Sequence, residues 1–271
     1  MQIPLEDNFN DIVSKAMRGL GFDDRTVGTA AGVAVEQVKG LKEGTWDAEA
    51  ARRVASILGL SEGALLAMGE KRYQPAPVEL SGLVQFNTPY EDMTVNSYLA
   101  WDERTREAVA FDTGADCTEM LSLLRDKNLT LSAILLTHTH GDHIFDLDRL
   151  KEKTGAPAFV GDQEPIAGAQ PFIEGKEFQV GSLMIGSRLT WGHSPGGITY
   201  VIQQGLARPV AVVGDAVFAG SMGGGGVSYA DALATNRKEI FTLTDDTVIC
   251  PGHGPMTTVG EEKKSNPFFA P

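Results

Sequence analysis

Over the first 75 residues, hydrophobic positions recur at three- and four-residue intervals, the spacing that gives a helix one buried stripe. Asp11-Ile12-Val13-Ser14-Lys15-Ala16-Met17 predicts an amphipathic helix stopped at Gly21. Residues 25–31 and 33–39 predict a pair of short helices broken at Gly32. Residues 47–58, with Asp47 as N-cap, and 61–68 complete the set. The prolines of Tyr73-Gln74-Pro75-Ala76-Pro77 interrupt helix and favour extended chain, so a boundary is expected there, between a helical domain at 1–75 and a second domain at 78–271. In the second, short apolar or alternating runs separated by turns predict strands at 83–86, 94–101, 107–111, 131–136, 158–160, 177–180, 183–189, 198–203, 210–213 and 247–250. Helices are expected at 118–126, 144–153 and 229–241. Strands arriving in meanders, with helices between some of them, imply packed sheets covered by helices.

Five short helices in this order resemble the lambda-repressor/Cro type of helix-turn-helix domain. The run Val27-Gly28-Thr29-Ala30-Ala31-Gly32-Val33 carries the likeness, Gly32 suiting the tight turn between the paired helices. The charge argues against DNA as a partner. Residues 1–75 hold nine Lys/Arg and eleven Asp/Glu, a net of −2, and the helix that would read bases carries Glu36 and Gln37 beside Lys39, where DNA readers present a basic face. Packing, homodimer formation or a lid over a neighbouring site are the roles left for the module.

The whole chain of 271 residues has a formal charge of −13, which disfavours polyanionic partners. No stretch approaches the roughly 18 apolar residues of a membrane span, so no membrane association is expected. Met1 to Asp7 show no basic flank followed by an apolar run, and Cys117 and Cys250 are too few for a disulfide framework. A cytoplasmic protein with a small-molecule substrate is the expectation.

All five histidines, His138, His140, His143, His193 and His253, sit in or beside turns that follow apolar runs. Three fall within His138-Thr139-His140-Gly141-Asp142-His143. At the end of a buried strand, His138 and His140 project to one side of an extended chain, Gly141 permits a sharp turn, and Asp142 and His143 open the next helix. Imidazole and carboxylate are ligands that Zn, Fe and Mn accept, and the absence of nearby Cys points to a reactive site instead of a structural one. His193 in Trp191-Gly192-His193-Ser194-Pro195-Gly196, Asp215 after Val210-Ala211-Val212-Val213-Gly214, and His253 in Pro251-Gly252-His253-Gly254-Pro255 repeat the same strand-end pattern. Asp215 would be costly there unless paired or metal-bound.

The series His-Thr-His-Gly-Asp-His, Gly-His-Ser-Pro-Gly, Gly-Asp-Ala-Val-Phe-Ala-Gly-Ser and Pro-Gly-His-Gly-Pro closely resembles the metallo-β-lactamase superfamily over about residues 78–271. The strand pair Asn96 to Leu99 and Ala108 to Gly114 belongs to the likeness. Thr257 to Glu262 and Asn266-Pro267-Phe268 look most like the short glyoxalase-II-type branch. The resemblance implies an α+β chain: an αβ/βα sandwich preceded by the small all-α module, with the site at one edge of two sheets. It also implies two divalent ions, Zn first, with Fe or Mn as alternatives. His138, His140 and His193 would hold one, Asp142, His143 and His253 the other, with Asp215 bridging and Asp142 also orienting the reactive water. The activity implied is hydrolysis of a thioester or related ester without a Ser or Cys nucleophile. Alternatives are a lactonase, a mononuclear iron persulfide dioxygenase using His138, His193 and Asp215, and a metal-domain sensor with a DNA-binding module.

Other residues have plainer readings. Cys250 reads as a buried small hydrophobe and Cys117 as an inert first-turn residue. Gly223-Gly224-Gly225-Gly226 lacks the Lys-Ser/Thr sequel of a phosphate loop and reads as a flexible loop beside the site. Tyr200 and Tyr229 read as packing. Members of the glyoxalase-II-like branch commonly place a basic residue soon after the segment matching Gly214 to Ser221. Met222 and four glycines stand there instead, leaving the added N-terminal helices to supply pocket walls.

Overall fold

The computed structural model describes residues 3–271, so Met1 and Gln2 of the leader reading lie outside the described residues. Among the described residues, no helix is long and apolar enough to cross a membrane. Five helices come first: α1 (Phe9–Leu20), α2 (Asp24–Ala31), α3 (Val35–Lys42), α4 (Ala48–Ile57) and α5 (Glu62–Gly69). Asp47 caps α4 by accepting from the N–H groups of Glu49 and Ala50, and Gly32 ends α2 in the left-handed conformation.

Strands begin after the proline linker. β1 (Leu83–Tyr90), β2 (Met93–Trp101), β3 (Glu107–Phe111), β4 (Thr130–Leu135), β5 (Ala158–Gly161) and β6 (Ala169–Phe172) form one sheet in that order, with α6 (Thr118–Asp126) between β3 and β4. α7 (Gly141–Ile144) and α8 (Leu147–Thr154) lie between β4 and β5. β7 (Glu177–Val180), β8 (Leu183–Leu189), β9 (Ile198–Gln204), β10 (Val210–Gly214), β11 (Val248–Pro251) and β12 (Thr257–Thr258) form a second sheet, with α9 (Tyr229–Glu239) before β11 and α10 (Val259–Ser265) last.

Period-two alternation sorts each strand between two cores. Tyr98 and Ala100 of β2, Ala133 and Leu135 of β4, Val210 and Val212 of β10, and Val248 and Cys250 of β11 face one another between the sheets. Their neighbours Leu99, Trp101, Leu131 and Ile134 turn outward under α6 and α8. Ala211, Val213 and Ile249 do the same on the second sheet, against Ile240 and Val259. This is the expected αβ/βα sandwich.

Three elements escaped the pattern. β6 is a four-residue edge strand containing Pro171, β12 has two residues, and α10 is mostly polar and charged, so none offers a long apolar period. The single helix expected over 144–153 is two. The chain breaks at Phe145-Asp146, where the Asp146 carboxylate accepts from the Cys117 N–H at 2.8 Å and its N–H meets Thr113 Oγ1 at 3.3 Å. The five N-terminal helices bury Ile12, Val13, Met17, Leu41 and Leu65 in a cluster that continues through Tyr73, Met222, Tyr229 and Phe268. One core therefore spans the linker.

The two sheets are also clasped by Asp102 in the β2–β3 turn. Its Oδ1 accepts from the N–H groups of Arg104 (2.7 Å) and Thr105 (3.2 Å), and its Oδ2 from Ser182 between β7 and β8 (2.7 Å). The Arg104 N–H foremost, against the cost of burial, holds this carboxyl well below the usual range. A carboxylate with a folded pKa below its unfolded value stabilises fully above the latter, and the contribution fades as pH falls toward the former. Asp102→Asn is therefore expected to cost about 1–3 kcal/mol at pH 7, with the deficit narrowing in urea titrations as pH drops from about 5 to 2. A deficit that stays constant across that range would contradict the clasp.

Candidate metal centre

Four strand ends deliver the predicted residues to one edge of the sandwich. β4 leads to His138, His140 caps the one-turn α7, and Asp142 and His143 sit buried within that turn. The β8–β9 loop carries His193, Asp215 follows β10, and His253 follows β11. The backbone at β11 comes so close that a Cβ on Gly252 would lie 2.1 Å from Asp215 Oδ1 and 2.6 Å from His143 Cε1, so only glycine fits.

All seven predicted residues converge, in two groups. His138, His140, His193 and Asp215 form one; Asp142, His143 and His253 form the other. In the first, His140 Nδ1 lies 3.0 Å from His138 Nε2 and 3.1 Å from His193 Nε2, and Asp215 Oδ2 lies 3.2 Å from His193 Nε2. In the second, Asp142 Oδ2 lies 3.3 Å from His253 Nε2 and 3.6 Å from His143 Nε2. Asp215 touches both, with Oδ1 3.3 Å from His143 Nε2 and Oδ2 3.5 Å from His253 Nε2. Donors about 2.1 Å from a tetrahedral ion are separated by about 3.4 Å, so these spacings suit metal coordination.

In four of the five rings the remaining nitrogen is already used. His143 Nδ1 donates to Asp112 Oδ2 (2.8 Å), His193 Nδ1 to Gly224 O (2.9 Å), and His253 Nδ1 to Thr94 O (2.7 Å). Thr137 Oγ1 donates to Asp112 Oδ2 (2.7 Å) and so receives His138 Nδ1 (3.1 Å). Each of these rings thus turns its Nε2 inward, where a bound cation would take the lone pair. His143 Nε2 and Asp215 Oδ1 are buried and hydrogen-bond to nothing among the described residues, an expense that a cation between them removes. The donor set fits divalent metal.

Charge is shared within the cluster. Burial opposes ionisation of His143 and His253, but Asp215 with Asp112 outweighs it at the first and Asp215 with Asp142 at the second, pushing their pKa values up to about 10 and about 11. Burial drives His138 well below its ordinary value, with His143 adding to the effect, and lowers His193. It also works against the carboxylates, yet His253 and His143 hold Asp142 below and Asp215 far below the usual range. The upward shifts of His143 and His253 thus come from the carboxylates that face them.

Asp112 and Thr137 are the functional residues the sequence reading missed. Asp112 binds the Thr137 N–H as well (2.7 Å), and through Thr137 and His143 it steadies a ligand of each group. Its signal was present: Phe111-Asp112-Thr113-Gly114 is a carboxylate at an apolar strand end, like Asp215. The glycine run is not loose, since Gly223 N–H bonds Asp215 O (3.1 Å) and Gly224 O holds His193. Cys250 and Tyr200 are fully buried, and burial pushes the Cys117 thiol up to about 12, so no activated thiol lies here. Tyr229 packs against Phe268.

Comparison with known proteins agrees with this geometry. "Probable metallo-hydrolase YqgX" of Bacillus subtilis is 30% identical over 205 residues, 67% of this chain and 95% of its own. "Hydroxyacylglutathione hydrolase GloC" of Haemophilus influenzae is 27% identical over 199 residues, 64% of this chain and 92% of its own. Among solved structures, the BLEG-1 B3 metallo-β-lactamase superposes with a TM-score of 0.61 at 28% identity, covering 69% of this chain and all of that one. ETHE1 from Myxococcus xanthus gives 0.60 at 27% (68% and 83% covered), and TTHA1623 in a di-iron-bound form 0.56 at 27% (68% and 99%). The model of the metallo-β-lactamase superfamily matches residues 90–253, from the end of β1 to His253 itself, and with more than half of its length matched the chain belongs to that superfamily.

Proposed function

We propose that this chain hydrolyses a thioester or related ester with two divalent cations, one held by His138, His140 and His193, the other by Asp142, His143 and His253, and both by Asp215. The carrying observation is the position of Asp215, whose two oxygens stand 3.2 Å from His193 Nε2 and 3.3 Å from His143 Nε2. A carboxylate reaching one ligand of each group suits a bridge. Zn, Fe or Mn satisfies this donor set, and the di-iron form of TTHA1623 is a precedent for double occupancy in a similar protein. The name of the Haemophilus relative supports the thioester class.

Bound there, the cations would ionise a water near neutral pH and polarise the scissile carbonyl. Asp142, held 3.3 Å from His253, would orient that water by accepting a hydrogen bond from it. Asp112 fixes the tautomer of His143, and Thr137 that of His138. Val213 and Ala216, both buried, line the small cavity beside His138 and Asp215. A departing thiolate needs no proton from the protein.

His138, His193 and Asp215 fall in one group, which suits a second reading, a mononuclear iron persulfide dioxygenase using those three residues. It leaves the convergence of His140, Asp142, His143 and His253 without a purpose. Metal analysis with oxygen consumption separates the readings: two equivalents per chain and no oxygen uptake are expected, and one iron with uptake overturns the proposal. His140 is exposed, so His140→Ala should leave the melting temperature within a few degrees, consistent with surface substitutions, while ester turnover is abolished; retained turnover contradicts the ligand assignment. Asp112→Asn is expected to weaken metal affinity about 10- to 100-fold, read by chelator competition, and unchanged affinity would remove Asp112 from its positioning role.

A further inference from the structure

The cavity in front of the metal groups is walled by two regions of the chain. It measures about 610 Å³ and is lined by Lys15 and Arg18 of α1, His140, His193 and the loop from Gly224 to Val227. That volume suits a small organic ligand. α1 reaches the cavity because Gly19 lies flat on α9, where a Cβ would stand 2.2 Å from Tyr229 Cγ.

Lys15 is half-buried and already engaged. It ion-pairs with Asp7, donates to Met222 O at 2.9 Å and lies 5.1 Å over the Phe218 ring, which stands edge-on to His253. Asp7 also accepts from Ser221 Oγ, and Glu6 runs past Gly254 of the His253 loop, so acidic groups balance the lysine. Arg18 lies one turn further along the same face of α1. It is exposed and forms no ion pair among the described residues, although the chain carries a net charge of −13. A cation in the last helical turn complements the helix dipole, but that accounts for its place on α1 and not for its place on the cavity wall. A guanidinium offers a planar fork of donors matched to a carboxylate.

We propose that Arg18, backed by Lys15, determines substrate specificity by binding a carboxylate at the end of the substrate remote from the scissile bond. The preferred substrates are then anionic thioesters or esters. Their link to the reacting carbonyl runs past Val227, half of which is exposed on the same wall. The assignment rests on the hydrolase reading above.

The test uses the metal-loaded full chain and two thioesters that differ in one group, S-acetyl-3-mercaptopropionate and its primary amide. Wild type is expected to favour the carboxylate by about tenfold or more in kcat/KM, with the difference in KM, as a charge-assisted contact provides. Arg18→Glu should erase that preference, Arg18→Lys keep part of it, and Arg25→Glu, an equal charge change elsewhere on the helices, leave it intact. High salt should shrink it. A preference unchanged in Arg18→Glu, or lost equally in Arg25→Glu, overturns the proposal. If neither thioester is cleaved, the hydrolase reading fails by itself, and calorimetric titration with glutarate and glutaramide still decides the binding claim. Glutarate affinity is expected to fall about tenfold in Arg18→Glu and Arg18→Gln, and an unchanged value rejects the site.

Discussion

The arrangement depends on one buried carboxylate. Asp215 lies beneath the surface with imidazole nitrogens at 3.2, 3.3 and 3.5 Å, and one of its oxygens has no hydrogen-bond donor. A buried charge of this kind costs several kcal/mol unless opposite charge lies against it. The opposing groups come from loops after β4, β8 and β11, so the two sheets must end at one edge with their loops interleaved. The glycine at 252 follows from the same demand, because any side chain there would displace the carboxylate.

Behind the histidine cluster stands a second carboxylate, positioned by sheet register. β3 and β4 are parallel, with Phe111 opposite Leu135, and the Asp112 N–H bonds Leu135 O. That places the Asp112 side chain beside Thr137 and under His143, in a positive-φ backbone that a non-glycine residue adopts at some cost. One acidic group therefore orients His143 directly and His138 through Thr137, one histidine of each candidate group. The strain is local, and three hydrogen bonds offset it.

How much of this the sequence disclosed follows from the range of each interaction. His138 to His143 could be read because strand, turn and ligands are contiguous, and His193, Asp215 and His253 because each repeats that grammar at another strand end. Asp112 repeats it too, yet its role lies in bonds to residues 25 and 31 positions away, which no local pattern announces. β6 and β12 were hidden for a different reason, having too few residues to show a period. The proline linker was legible as a change from helix to strand. What it could not reveal was that Tyr73 hydrogen-bonds the fully buried Glu262, which also receives Gly220 N–H, Thr257 Oγ1 and Asn266 Nδ2.

That last network bears on how the site is reached. A lid must part from what it covers, and α1 would have to leave a core that holds Ile12, Val13, Ala16 and Met17 at 2% exposure or less. It would also lift Gly19 from Tyr229 and separate Lys15 from Asp7 and Met222, while the linker stays pinned at Glu262. Burying four such side chains contributes several kcal/mol at about 25 cal/mol per Å², far more than one small ligand returns by differential contact. α1 is accordingly a fixed wall. Of its two cations Lys15 is held in place before substrate arrives, by Asp7 and Met222 O, while for Arg18 folding fixes the backbone of α1 and so spends that part of the ordering entropy in advance.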